Sequence, residues 1–156
     1  MKKYSFFTIL VGLLCLAQSC KVTVEDINDN SLPFAGKRLL MSGFILNPAV
    51  DFDGDGVVDA DLMKYLPACN LDDAMIFEKS GKLSGDGGKV HCADEKLPAA
   101  DAHWSYDKFT KKLRMVNGSD TNEWTVVTMN ENQLTVEAPL VNNGISHNAV
   151  LTMSVK

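Results

Sequence analysis

From Gly36 onward, apolar and polar residues alternate with a period of two over short stretches, the mark of strands that bury one face. The last strands show it most clearly. Leu134, Val136 and Ala138 form one face against Gln133, Thr135 and Glu137, and Leu151, Met153 and Val155 share one side of the final stretch. Trp124, Val126 and Thr128 stand opposite Thr125, Val127 and Met129. Asn117-Gly118, Asn130-Glu131-Asn132 and Asn142-Asn143-Gly144 supply the turns between these runs. Earlier strands are less regular. The stretch 38–46 is apolar on both sides, with Leu40, Phe44 and Leu46 on one and Leu39, Met41 and Ile45 on the other. Short strands are expected at 74–78, 89–92, 103–106 and 112–116, broken at Lys79-Ser80-Gly81-Lys82, at Gly85-Asp86-Gly87-Gly88 and at 107–111. Strands spaced about ten residues apart and joined by tight turns predict an all-β fold. The expectation is a small antiparallel up-and-down β-barrel of about eight strands, closed so that its edges are hidden. One helical piece is expected, at about 61–66, stopped by Pro67.

The amino terminus reads differently. Met1-Lys2-Lys3 is a positive start, and Tyr4 to Ala17 is an apolar run of fourteen residues interrupted only by Ser5, Thr8 and Gly12. That length suits a signal peptide and is too short for a stable membrane span. The run closes in Leu16-Ala17-Gln18-Ser19-Cys20, which looks like a bacterial lipoprotein signal with Cys20 as the lipidated mature terminus. Gln18 departs from the commonest form, which has a small residue there, and an ordinary secretory signal cleaved near Ser19 is the alternative. Two or more acyl chains are what stable anchoring requires. The division expected is a signal peptide over 1–19, a lipidated tether over 20–33 and a barrel domain over 34–156. The tether, rich in Asp and Asn and without sustained period, is read as flexible.

With Cys15 discarded and Cys20 lipidated, Cys69 and Cys92 remain. In an oxidising exported compartment such a pair reads as a disulfide. A metal site using Cys92 and neighbouring His91 competes with this reading, but one adjacent His and one distant Cys make a poor ligand set.

The most informative segment is Asp51-Phe52-Asp53-Gly54-Asp55-Gly56-Val57-Val58-Asp59-Ala60-Asp61, which carries five carboxylates in eleven residues. They repel one another, and the first basic residue nearby is Lys64. A calcium ion resolves the repulsion, because it takes six to eight oxygens in a flexible shell. The spacing follows the calcium-loop pattern: side chains of Asp51, Asp53 and Asp55, a glycine turn at Gly56, the Val57 carbonyl, and Asp59 directly or through water. Leu62 stands where an EF-hand has its last glutamate, so Asp61 is the expected final ligand and flanking EF-hand helices are not implied. Magnesium demands tighter octahedral geometry and fits less well. An ion-free Asp/Gly surface turn is the alternative.

The block DFDGDGVVDADLMKYLPACNLDDAMIFEKSGKL, followed by Cys92 and the strand around Trp104, resembles the lipocalin-like lipoproteins of anaerobic Gram-negative bacteria. Those proteins join a lipidated cysteine to a strand, a D-x-[ND]-G-D-G loop, a short helix ending in Leu-Pro-x-Cys, an aromatic strand (here Phe77), a Gly turn (Gly81), a second cysteine and a Gly-x-Trp strand. Ala102-His103-Trp104 departs from the last element. The resemblance covers roughly 36–155 and is specific between Asp51 and Cys92. It implies a lipocalin-like barrel of about eight strands with a filled core or a narrow cavity able to take one small ligand. It also implies an envelope location, by a lipid anchor at the outer membrane. Activity carries over weakly.

Composition adds exclusions. The 156 residues, 46% hydrophobic and 22% charged, make about one globular domain and exclude a disordered tail or a multi-span membrane protein. Without Lys2 and Lys3, thirteen basic residues face twenty acidic ones, a net charge of −7. Nucleic acid is not an expected partner of so acidic a chain. His91, His103 and His147 are isolated in sequence and are expected in turns or on strand surfaces, and no Gly-x-Ser-x-Gly or zinc-helix motif is present. Trp104 and Trp124 are expected in the core or at the barrel mouth. Two functions follow: a non-enzymatic module binding a small apolar or amphipathic ligand, or an envelope structural or interaction module in which calcium and disulfide serve rigidity.

Overall fold

A computed structural model describes residues 32–93, 96–142 and 144–156. The signal peptide expected over 1–19, Cys20 and all but the end of the expected tether lie outside the described residues. Nine strands form one antiparallel sheet: β1 (Arg38–Val50), β2 (Asp59–Asp61), β3 (Ala74–Phe77), β4 (Leu83–Asp86), β5 (His103–Asp107), β6 (Lys112–Asn117), β7 (Asp120–Met129), β8 (Gln133–Asn142) and β9 (Ile145–Val155). The hydrogen-bonded order β4-β3-β1-β9-β8-β7-β6-β5 is a meander of eight strands, with β2 paired to β1 outside it. The ends of that order meet. Leu83 N–H donates to the Ala102 carbonyl at 2.9 Å and Trp104 N–H to Gly81 at 2.8 Å. Trp104 Nε1 also reaches the Glu78 carbonyl at 3.0 Å. These bonds bring the sheet to a nearly closed up-and-down barrel, as the strand pattern predicts.

Alternation holds through β8 and β9, where Leu134, Val136, Ala138, Ala149, Leu151 and Met153 are all buried. It breaks in β1 and β7. Register shifts fall between Met41 and Gly43 and between Val126 and Thr128. Each bulge inserts one residue and moves the inward set by one. In β1 the core therefore takes Leu39 and Met41, then Phe44 and Leu46. In β7 it takes Trp124 and Val126, skips the exposed Val127, and resumes at Met129. This explains why β1 reads as apolar on both faces.

Side chains fill the barrel from its base. Phe34, Phe77 and Trp104 meet there, with ring centroids 5.3, 5.9 and 5.5 Å apart and the two pairs involving Phe77 edge-on. Edge-to-face geometry suits the ring quadrupoles. Leu113, Leu134 and Val136 continue the core without exposure. Each such side chain contributes about 1.5–3 kcal/mol by leaving water.

Two expectations are corrected. In place of a helix over 61–66 there is a single 3₁₀ turn, Met63–Tyr65, and a four-residue helix, α1 (Ala68–Leu71), beyond Pro67. Proline disfavours helical geometry in the residue before it, and Leu66 is extended at ψ 132°. Its fixed φ suits a helix start, so Pro67 opens α1 as well as closing the earlier turn. No strand forms at 89–92, and Gly85 and Asp86, expected in a break, belong to β4. Asp72 accounts for this: its Oδ2 accepts the N–H of Lys89 at 2.6 Å and of Val90 at 3.1 Å, taking donors a strand would use. Cys92 is bonded to Cys69 of α1, with Cα atoms 5.4 Å apart, as expected from the cysteine count.

Candidate functional site

β1 and β2 form a hairpin, with Val50 opposite Asp59 and Ile45 opposite Asp61. The aspartate segment is the loop of that hairpin, not a link between helices. Gly54 and Gly56 adopt φ of +81° and +87°, a region that strains residues with a Cβ. Their N–H groups both turn back to Asp51, donating to Oδ1 at 2.8 Å and to Oδ2 at 3.0 Å. Val57 N–H donates to Asp55 Oδ1 at 2.7 Å. The result gathers Asp51, Asp53 and Asp55 so that one carboxylate oxygen of each lies within 4.8 Å of the others, all exposed. Three oxygen donors brought together in this way could hold a metal ion.

Two other expected ligands, Asp59 and Asp61, have partners outside that triad. Asp59 Oδ1 accepts from Lys64 Nζ at 2.7 Å, and its Oδ2 accepts the Tyr65 hydroxyl. The Lys64 ammonium, then the Tyr65 hydroxyl, hold the Asp59 carboxyl below its usual range. Donating that hydrogen bond to Asp59 pushes the Tyr65 phenol up to about 12. Asp61 Oδ1 accepts the Met63 N–H at 3.0 Å, which ties it to the start of the 3₁₀ turn. Val57 is 60% exposed in the loop.

Tyr65 joins this loop to a second feature. Its hydroxyl lies 3.2 Å from Asp53 Oδ2, and its ring packs on Phe52, 4.8 Å between centroids. Phe52 and Tyr65 form one wall of a cleft of about 390 Å³. The rest comes from Phe44, Leu46 and Val50 of β1, Leu62 and Leu66, and Leu140 and Val141 of β8. Leu62 is pinned over β1 by its N–H to the Phe44 carbonyl at 2.8 Å. The cleft has the size and apolar character of a small-molecule site. It sits where β1 and the β8–β9 hairpin rise past the end of β7, at the mouth of the barrel. Chain entry is at the other end of β1, where Gly36 N–H meets the Phe77 carbonyl at 2.8 Å.

The histidines divide. His103 is exposed, as expected, but His147 is 6% exposed and faces inward. It lies in phase with Ala149, Leu151 and Met153, a signal present in the alternation itself. The cleft has no such signal, because its walls come from segments nearly a hundred residues apart. Trp104 is core and Trp124 packs against it. The chain matches no family model, no curated protein and no solved structure.

Proposed function

We propose that this protein is a non-enzymatic binding module of the cell envelope, whose barrel mouth holds a small apolar or amphipathic molecule. The observation that carries the reading is the apolar cleft of about 390 Å³ at the mouth of a barrel otherwise filled from its aromatic base. A module of pure rigidity has no use for an open apolar hollow, which costs the packing its walls would otherwise make.

Calcium is assigned to Asp51, Asp53 and Asp55, supported by their oxygen spacing and by the glycine geometry that holds it. Asp59, already paired with Lys64 and Tyr65, and Asp61, which accepts the Met63 N–H, lie outside that gathered triad. The ion's role is structural: it fixes the loop that carries Phe52 and so one wall of the cleft. Attachment is by acyl chains on Cys20, supported by the leader and its Leu-Ala-Gln-Ser-Cys ending, at the outer membrane of a Gram-negative bacterium.

The test is titration with the neutral fluorescent probe N-phenyl-1-naphthylamine. One saturable site is expected, lost in Leu140→Trp, which fills the cleft. The absence of saturable binding, or equal binding by the variant, contradicts the reading.

A further inference from the structure

We propose that the base of the barrel lies on an anionic bilayer surface, with Lys79, Lys82, Lys108 and Lys111 over phosphate-bearing lipid headgroups and the Phe109 ring set among them. The proposal rests on the reading of the chain as lipid-anchored through Cys20, and it names the face that meets the lipid.

In an up-and-down meander alternate connections share one end. β1 starts and β9 finishes together at the base, with Leu39 opposite Val155, and the turns 78–82, 108–111 and 130–132 lie at that end. Contacts between these segments agree. Gly36 N–H meets the Phe77 carbonyl at 2.8 Å, and Trp104 N–H meets Gly81 at 2.8 Å before β5 runs on to Asp107. Lys37 Nζ donates to the Glu131 carbonyl at 2.8 Å. The 51–58 loop follows the opposite end of β1.

Charge divides between the two ends. Segments 32–37, 78–82, 107–112 and 130–132 hold six lysines and three acidic residues, a net of +3 in a chain whose total is −5. The 51–58 loop holds three carboxylates and no basic residue. Among the described residues Lys79, Lys82, Lys108 and Lys111 make no ion pair, whereas Glu131 is held by Lys37. β1 has 13 residues, roughly 40 Å along the strand and roughly 30 Å of height at the usual barrel tilt. That exceeds three Debye lengths of about 8 Å, so carboxylates at the mouth are screened from a surface at the base.

Phe109 is 86% exposed, the most exposed large apolar side chain among the described residues. A lone exposed ring is ordinary. This one is held at a turn, its N–H bonded to Asp107 Oδ1 at 2.8 Å, between Lys108 and Lys111, and Lys108 Nζ lies 5.4 Å from the ring centroid. An apolar group flanked by ammonium groups suits the boundary between headgroups and acyl chains. Each basic residue near an anionic surface strengthens attachment about fivefold. Leu32, also at this end, follows Cys20 by twelve residues. An acylated Cys20 therefore keeps the base within about 40 Å of the lipid, where effective concentration favours contact.

The test places the full chain, made with 4-fluorophenylalanine, on bilayer discs of phosphatidylcholine with or without phosphatidylglycerol. A headgroup nitroxide on the lipid broadens fluorine resonances near the surface, and Phe109→Leu assigns residue 109. The expected result is a broadened Phe109 resonance on discs with phosphatidylglycerol only, while Phe52 of the opposite end stays sharp on both. Lys108→Gln with Lys111→Gln should lower the docked-to-free ratio roughly thirtyfold, two fivefold steps or slightly more. Phe109 sharp on both discs, with the protein still attached, overturns the proposal and leaves the anchor standing; the base charge then answers to an acidic macromolecule. Equal broadening on both discs, or undiminished broadening in the double variant, overturns it as well. Protein that attaches to neither disc overturns the anchor reading, and this inference with it.

Discussion

Replacing Phe34 by alanine removes the plug of the barrel base. Phe34 has no solvent exposure and packs against Phe77 and Trp104 at centroid distances of 5.3 and 5.9 Å. Truncating a fully buried phenylalanine costs about 3–5 kcal/mol, the transfer loss plus the cavity left behind. The aromatic pairs account for about 0.5–1.5 kcal/mol each within that figure. A domain of roughly 120 residues unfolds with an entropy near 0.25 kcal/mol per kelvin, so the melting temperature should fall by roughly 12–20 °C. The assay is urea and thermal unfolding by circular dichroism, with Lys37→Ala as control. Lys37 pairs with Glu131 at the same end but at an exposed site, and its loss should cost under about 1 kcal/mol. A loss below about 1 kcal/mol for Phe34→Ala, with an unchanged urea slope, refutes the plugged base. Residue 34 would then be tether and not core.

Three further outcomes are expected. At 10 mM calcium, a loop with dissociation constant on the order of 10⁻⁴ to 10⁻³ M gains about 1.4–2.7 kcal/mol, raising the melting temperature by roughly 5–10 °C. Chelator reverses that gain and Asp53→Asn with Asp55→Asn abolishes it, whereas an unchanged melt refutes a stabilising ion. Spectrophotometric titration should find Tyr65 ionising near 12, well above the usual value of about 10, and returning toward it in Asp59→Asn. Because the raised value favours the neutral phenol, this contribution to stability is whole below about pH 10 and is lost as pH rises toward 12. A Tyr65 that ionises at the usual value in the folded protein contradicts the bond to Asp59. Gly88→Ala places a Cβ 2.5 Å from Asp72 Cγ at φ +63°, and should cost about 1–3 kcal/mol in urea unfolding with the disulfide still formed. A cost within 0.5 kcal/mol, the range of an ordinary surface change, argues against the Asp72 clamp on the 88–90 turn.

Much of the barrel is legible in its sequence where one face is wet and the other dry. Gln133, Thr135 and Glu137 against Leu134, Val136 and Ala138 settle β8 without further information. The bulges at Ser42 and Val127 are not legible, because a one-residue shift of phase is visible only against a paired strand. The 89–92 error has a similar origin. A side chain at Asp72, far away in sequence, captures backbone donors that local propensity assigns to a ladder. In the aspartate loop the spacing of Asp51, Asp53 and Asp55 suffices to bring them together, since the intervening glycines turn the chain locally. The partners of Asp59 and Asp61 depend on where the 3₁₀ turn places Lys64, Tyr65 and the Met63 N–H, and spacing alone does not contain that. The cleft is least legible of all, because it exists only once β1, β8 and the turn at Leu62 are assembled.

Native mass spectrometry of the protein isolated from the cell that makes it tests the binding reading most directly. The unaltered chain should carry one small noncovalent adduct, and Leu140→Trp, which fills the cleft, should lose it. A bare unaltered chain, or the same adduct on both proteins, contradicts a ligand site at the barrel mouth.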